Sequence, residues 1–369
     1  MKLLITIFIT ILSFQVFAET RTFKTELYEL NVEQIADGLQ NPWSLEFLPD
    51  GRMLVSERPG YLRLIDNGNV SKPIRNLPDI KAFGQGGLLD IAIDPDFKKN
   101  NTIYLSYAGP GKGGVSTEVV SATLADNELS NVKRIFVLDY KSSPGYHFGS
   151  RLQFDRDGYL YISLGDRGDK ERSQELDDHA GSLIRINKDG SVPADNPFVN
   201  TAGAKPEIYT YGNRNMQGMA MHPVTGDIWT IEHGPQGGDE LNLMKPGTNY
   251  GWPVITYGAN YVTGTKIGEG TEKAGMAQPV HYWVPSIATS GLLFYDGELF
   301  PEWKHHAFIG SLKFGQLARL KLDNNEVQSE ERIFNGQLGR VRDVIQGPDD
   351  AIYIITDEMN GKVFRISPK

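Results

Sequence analysis

No cysteine occurs among the 369 residues. Disulfides, thiolate metal sites and cysteine nucleophiles are therefore excluded, and the fold must be held by packing, with a hard metal ion as the one remaining kind of cross-link. Long apolar runs are nearly absent as well. The single such run, Leu3 to Leu12, is about ten residues long and too short to cross a hydrocarbon core of roughly 30 Å. A surplus of positive charge is also missing, since 37 Lys and Arg stand against 46 Asp and Glu, for a net charge of −9. That balance opposes a polyanionic backbone, so nucleic acid is not an expected partner. The seven histidines form no HExxH and no spaced pair, which leaves zinc hydrolysis without support.

What is present begins with an export signal. Met1-Lys2 leads into Leu3 to Leu12, and Val16-Phe17-Ala18 places small residues at −3 and −1 before Glu19. This is the pattern of a secretory signal peptide, residues 1–18, cleaved after Ala18. No later stretch is long and apolar enough to span a membrane, so the expected mature chain, 19–369, is soluble. An exported chain without cysteine points to the periplasm.

Gly and Pro are abundant, at 40 and 20 residues, which calls for many tight turns and argues against a helix bundle. A turn followed by an alternating strand recurs six times, with strands at Met53–Ser56, Ile103–Ser106, Leu160–Ser163, Ile228–Ile231, Ala307–Gly310 and Ile352–Ile355. Several units add a second strand, as in Tyr61–Ile65, Leu183–Ile186, Gln316–Leu322 and Lys362–Ile366. The spacing of roughly 45 to 80 residues suits propeller blades with loop insertions better than a strict solenoid. Two β-sandwiches would also alternate strands and turns, but no linker divides the chain. One all-β, six-bladed β-propeller is expected, with the insertions near Asp166 to Ile208 and Gly234 to Pro285 capping one face.

Four glycine-bounded segments carry candidate chemistry. His147, between Gly145 and Gly149, can approach a ligand and accept a proton near neutral pH, or be a solvent-exposed turn histidine. Asp166 ends a strand beside glycines, where it can orient a histidine or simply make an Asx-turn. Gly212 to Gly218 offers Arg214 and Asn215 as planar donors for carboxylate or quinone oxygens; a solvated arginine in a turn is the alternative. Lys313, Arg340 and Arg342 add cations near strand ends. In Glu232 to Asn242, irregular backbone at Gly234-Pro235 with Asp239 and Glu240 suits Ca²⁺ or an ordinary polar loop, and EF-hand spacing is absent.

In order along the chain, Gly84-Gln85-Gly86-Gly87, the His147 loop, Leu164-Gly165-Asp166, Tyr211 to Asn215, His233-Gly234-Pro235, Asp239 to Asn242, Asn249 to Pro253, Lys313 and Arg340 to Asp343 resemble the soluble aldose sugar dehydrogenases that use pyrroloquinoline quinone (PQQ), relatives of soluble glucose and sorbosone dehydrogenases. The resemblance covers nearly the whole mature chain. It implies a six-bladed propeller, a general base at His147 polarised by Asp166, and Arg214 stabilising charge on the quinone. It also implies cofactor contacts from Gln85, Asn215, Lys313, Arg340 and Arg342. A Ca²⁺ ion on the carbonyls of Gly234 and Pro235 and a second near Glu240 and Tyr250 follow from the same likeness. PQQ carries three carboxylates, so an acidic protein needs a local set of cations to hold it. The glucose dehydrogenase branch has Gln where this chain has His233, and its loops after Tyr250 and before Pro285 are longer. The shorter loops imply a more open sugar site, broad aldose use and a monomer. The activity expected is oxidation of an aldose at C1 to a lactone, with a separate electron acceptor as partner. A calcium-dependent propeller lactonase, or a propeller that binds carbohydrate or protein without catalysis, are the competing readings.

Overall fold

The computed structural model describes residues 20–125 and 127–369. The expected signal peptide and its cleavage site lie outside the described residues. The chain forms six antiparallel sheets, five of four strands and one of five. Each of the six turn-plus-strand units of the sequence is the second strand of a sheet: Met53–Glu57, Thr102–Gly111, Leu160–Ser163, Ile228–Glu232, Ala307–Ser311 and Ile352–Thr356. Most are buried from end to end, because a blade is covered on both faces by its neighbours.

The first strand of each sheet is innermost: Pro42–Phe47, Leu88–Ile93, Leu152–Phe154, Met216–Met221, Thr289–Phe294 and Val341–Gln346. Each packs on the next, and the last packs on the first, so the ring of blades closes. Wedges of buried side chains fill the gaps between blades. Between the fifth and sixth, Phe308, Leu317, Val341, Ile354 and Phe364 form one such wedge, with Phe300 stacked on Trp303 at 4.6 Å between ring centroids.

Closure uses both ends of the described chain. Glu29–Leu39 pairs antiparallel with Gly361–Pro368 in the sixth blade, from Leu30 opposite Pro368 to Leu39 opposite Gly361, and Thr20–Lys24 adds the outermost strand. Arg151 closes the central channel: its guanidinium meets Asp90 at 3.1 Å and Asp343 at 2.9 Å, and it lies 4.2 Å from the Trp43 ring centroid. Arg151 Nε also donates to the Gln217 carbonyl at 2.7 Å, so one side chain links blades one, two, three, four and six. Among the described residues no helix is long and apolar enough to cross a membrane.

Candidate active site

At one end of the channel lies a cavity of about 700 Å³. Its walls combine loops at one end of the blades with residues of the inner strands, among them Trp43, Gln217 and Arg342. Gln85, Pro235, Lys313, Arg340 and Arg342 all line it, together with Trp43, Arg58, His233, Tyr261 and Asp357. Cations expected from positions 313 to 342 therefore converge. Arg342 is buried and its Nη2 meets Asp357 at 2.5 Å, while Arg340 approaches the same carboxylate at 3.6 Å. Burial alone would raise the Asp357 carboxyl, but the Arg342 charge and hydrogen bond outweigh it and hold it down at about 2.

Arg58 is a further cation in this wall that the sequence reading omitted. Its Nη1 donates to the Gly84 carbonyl at 2.6 Å, fixing the glycine loop that carries Gln85. Gly87, at φ 153° and with the Arg58 carbonyl where a Cβ would stand, shows why that loop is built of glycine.

His147 sits beside the cavity, between Gln85 on one side and Phe148 and Gly149 on the other, all three of which line it. Its side chain is only 14% exposed, which removes the solvent-turn reading. Its Nδ1 lies 2.6 Å from Asp166 Oδ1, and its backbone N–H donates to Gln85 Oε1 at 2.8 Å. Asp166 is 2% exposed and accepts two more hydrogen bonds, from Gly168 N at 2.7 Å and from Trp252 Nε1 at 2.8 Å. It is therefore both the Asx-turn and the histidine's partner. Burial pushes the Asp166 carboxyl up, yet the His147 bond, the Gly168 N–H and the Arg214 charge together hold it below its ordinary value. Burial, with help from the Arg214 and Arg167 charges, lowers the His147 imidazole against the pull of Asp166, leaving it neutral near pH 7.

Arg214 and Asn215 lie behind this pair and outside the cavity's lining residues. Both are buried, so the solvated-turn reading fails for them also. Arg214 Nη1 donates to the His233 carbonyl at 2.9 Å, its guanidinium is 5.3 Å from the Trp252 ring centroid, and its Nε has no partner. Asn215 Oδ1 accepts from Gly149 N at 3.1 Å, tying the loop after His147 to the fourth blade. Glu232, which the sequence reading quoted but gave no role, organises this segment: it accepts from Arg214 N at 2.6 Å, Asn215 N at 3.3 Å and Asn213 Nδ2 at 3.0 Å. Trp252 is a second such residue. Its signal was its place in Asn249-Tyr250-Gly251-Trp252-Pro253, but only the fold brings it to Asp166.

The Gly234 turn is tight, since a Cβ there would strike the carbonyls of Gly237 and Gly238. Asp239 staples it, accepting from Gly234 N at 3.0 Å and, across to the fifth blade, from Ala288 N at 2.7 Å. Next to it a void of about 10 Å³, the space of one ion or water, is lined by Glu232, Gly234, Glu240, Tyr250 and Thr256, with Arg214 also at its wall. The carbonyl oxygens of the Asn213 and Asn242 side chains are buried with no partner. No group of three His, Asp or Glu able to hold a metal occurs among the described residues, so a cation here needs carbonyl as well as carboxylate oxygens. The Glu232 and Glu240 carboxylates with the backbone oxygens at Gly234 and Gly238 are hard donors of the kind Ca²⁺ takes. The cation-lined cavity, with Arg342 Nε buried and unpaired, likewise fits a planar tricarboxylate of the size of PQQ. Of the two insertions expected to cap this face, residues 234–285 do so. Within 166–208, Leu183–Ile186 is a blade strand, and the 3-10 turn Lys170–Gln174 buttresses the Trp252 segment through Gln174 and Asn249.

A closed propeller with a polarised histidine beside a cation-lined cavity defines a class of enzyme-like sites, and comparison with known proteins gives the family. The model of the glucose/sorbosone dehydrogenase family matches residues 39–365, and the chain belongs to that family. It is 43% identical over 347 residues to the aldose sugar dehydrogenase YliI of Escherichia coli K12, covering 92% of this chain and 93% of that protein. A crystal structure of a glucose dehydrogenase, 46% identical, matches 92% of this chain and 99% of its own with a TM-score of 0.90. The PQQ-bound aldose sugar dehydrogenase of Streptomyces coelicolor, 25% identical, matches 92% of this chain and 98% of its own with a TM-score of 0.76.

Proposed function

We propose that the chain is a periplasmic aldose dehydrogenase that depends on PQQ and Ca²⁺ and oxidises the anomeric C1 hydroxyl of aldoses to the lactone. The observation that carries this reading is the 2.6 Å His147–Asp166 pair set between lining residues of a cavity ringed by Arg58, Lys313, Arg340 and Arg342. With Nδ1–H donated to Asp166, His147 Nε2 is the free base that takes the proton of the C1 hydroxyl. Asp166 holds the ring in that tautomer and stabilises the imidazolium formed. Arg214 and the cavity cations set a positive field for negative charge developing opposite the base. PQQ, when bound, supplies the acceptor for the C1 hydride. Lys313, Arg340 and Arg342 would hold its carboxylates and Gln85 would complete the contacts, while Asn215, expected from the resemblance as a contact, lies behind the lining and acts through Gly149. The carbonyls of Gly234 and Pro235 would hold one Ca²⁺, and Glu240 and the Tyr250 segment a second. We read the chain as a monomer that passes electrons to a separate acceptor.

A lactonase would need carboxylates facing the cavity. Among the described residues Asp357 is the one carboxylate in its lining, and it is paired with Arg342. Titrating the purified chain with PQQ in the presence of Ca²⁺, while following dye reduction with glucose, galactose and maltose, tests the proposal. Saturable quinone absorbance with aldose-dependent turnover is expected. Sugar binding without dye reduction would mean a non-catalytic propeller, and lactone hydrolysis without quinone would mean a lactonase.

A further inference from the structure

Arg167 follows Asp166 in the chain and is wholly buried, at 0% exposure. Among the described residues it makes no ion pair. Its guanidinium lies 3.6 Å from the Phe148 ring centroid, Nη1 donates to the Tyr146 carbonyl, and Nη2 donates to the Pro144 carbonyl at 2.8 Å and the Val115 carbonyl at 3.5 Å. Its Nε has no partner. Burial lowers this guanidinium to about 10, still charged at neutral pH. A buried cation without a carboxylate is costly to keep. Here almost everything around it comes from one segment, residues 144–148, whose side chain at position 147 points instead to Asp166.

We infer that Arg167 is a positioning residue for the base: it threads the loop 144–148 from inside and fixes where the His147 imidazole stands. The inference rests on the reading of His147 as base. Two backbone features agree with it. His147 and Arg167 both sit in the left-handed region, at φ 57° and 56°, a conformation that needs surrounding contacts to hold it. The loop is also held from its outer side, by Gln85 N donating to the Gly145 carbonyl at 2.6 Å and by the Phe83 ring against Gly145, so Arg167 supplies the inner half of a clamp. The charged groups that act on the imidazole are Asp166, Arg214 and Arg167, and the Tyr146 ring meets it edge-on at 5.0 Å between centroids. Removing one of those cations and loosening the loop both move the imidazole back up toward its solution value.

Arg167→Met, which keeps length and apolar contact with Phe148, and Arg167→Lys are the variants to compare. In the PQQ- and Ca²⁺-loaded enzyme, Arg167→Met is expected to lower kcat roughly 10- to 100-fold, with PQQ affinity within about threefold of the parent and the acid limb of kcat/KM displaced to higher pH. Arg167→Lys should recover part of the loss. Unchanged kcat and an unmoved limb in folded, quinone-loaded variant would overturn the inference. So would a loss of activity that only tracks a loss of folded protein. If Arg167→Met does not fold, NMR titration of the His147 ring in the apo chain, assigned by His147→Gln, compares the parent with Arg167→Lys and with Arg167→Gln, which removes the charge while keeping polar donors for the loop carbonyls. A raised imidazole pKa in Arg167→Gln with a smaller rise in Arg167→Lys supports the clamp, and identical values in parent and Arg167→Gln reject it. Because that titration needs no turnover, it stands even if the parent oxidises no aldose.

Discussion

At the scale of single residues, the site separates two controls on one imidazole. Asp166 raises the proton affinity of His147 and selects its tautomer, while burial and the Arg214 and Arg167 charges lower that affinity. The net effect is downward, so the acid limb of kcat/KM should fall below pH 6.5, the ordinary value for histidine. Asp166→Asn removes the one group that pulls upward. Its limb should therefore move to lower pH, opposite to the Arg167 variant, and kcat should fall by about 10²- to 10⁴-fold. One of the N–H groups now aimed at the carboxylate, from His147, Gly168 or Trp252, would face an amide N–H instead. Stopped-flow measurement of the single-turnover rate across pH checks both the sign and the size. A limb that rises in Asp166→Asn would show that the carboxylate does not act through His147.

At the scale of elements, the turn from Gly234 to Asp239 joins the ion-sized void to the fifth blade. Gly234→Ala places a methyl against the Gly237 and Gly238 carbonyls, and the turn must open to accept it. The blade strands on either side, Ile228–Glu232 and Asp239–Leu243, remain paired through Trp229 to Glu232, so the loss should be local. Overpacking of this kind costs about 1–3 kcal/mol. Addition of Ca²⁺ to the apo parent should raise its melting temperature, by the equivalent of about 2.7 kcal/mol at a hundredfold excess over Kd, and EGTA should reverse the rise. In Gly234→Ala the calcium-dependent shift should shrink or vanish while the EGTA melting temperature falls only slightly. Differential scanning calorimetry with and without the ion reads both, and an undiminished calcium shift in the variant would place the ion elsewhere.

How much of this was legible in the sequence follows from which interactions are local. The second strands of five blades follow an Asp-, Asn- or Gly-containing turn and that of the fifth blade follows Trp303-Lys304-His305-His306, and this recurrence of turn and strand made six blades countable. The inner strand Leu88–Ile93 follows the glycine loop Gly84 to Gly87, but Asp90 within it looks misplaced until Arg151 is seen from the next blade. His147 and Asp166 stood out because glycines flank them. Trp252 and Glu232 lay inside quoted segments, yet their partners are 86 and 18 residues away, a distance that no local pattern encodes. Arg167 lies between Asp166 and Gly168, and nothing in that local pattern marks it. Only the three carbonyls and the ring around it reveal that it is buried.

At the scale of the whole molecule, the ring is closed by a strand whose partner lies more than three hundred residues away, from Leu30 opposite Pro368 to Leu39 opposite Gly361. Leu30, Val32 and Leu39 are buried at 1% exposure or less, the first two in the wedge that also holds Phe364 and Ile366. Burying three such side chains stabilises the fold by roughly 5–9 kcal/mol, at 1.5–3 kcal/mol each. That range is most of the 5–15 kcal/mol by which a domain is ordinarily stable. A chain starting at Gln40 would also leave the edge of Gly361–Pro368 unpaired, a template for association. Removal of residues 20–39 should therefore abolish cooperative folding or yield aggregates. Removal of 20–25 alone strips only the half-exposed outer strand and should lower the melting temperature by a few degrees while sparing PQQ binding. Circular dichroism melts and light scattering of the two truncations separate the contributions. A cooperative, monomeric melt from the chain starting at Gln40 would show that the inner ring closes without the terminal strand.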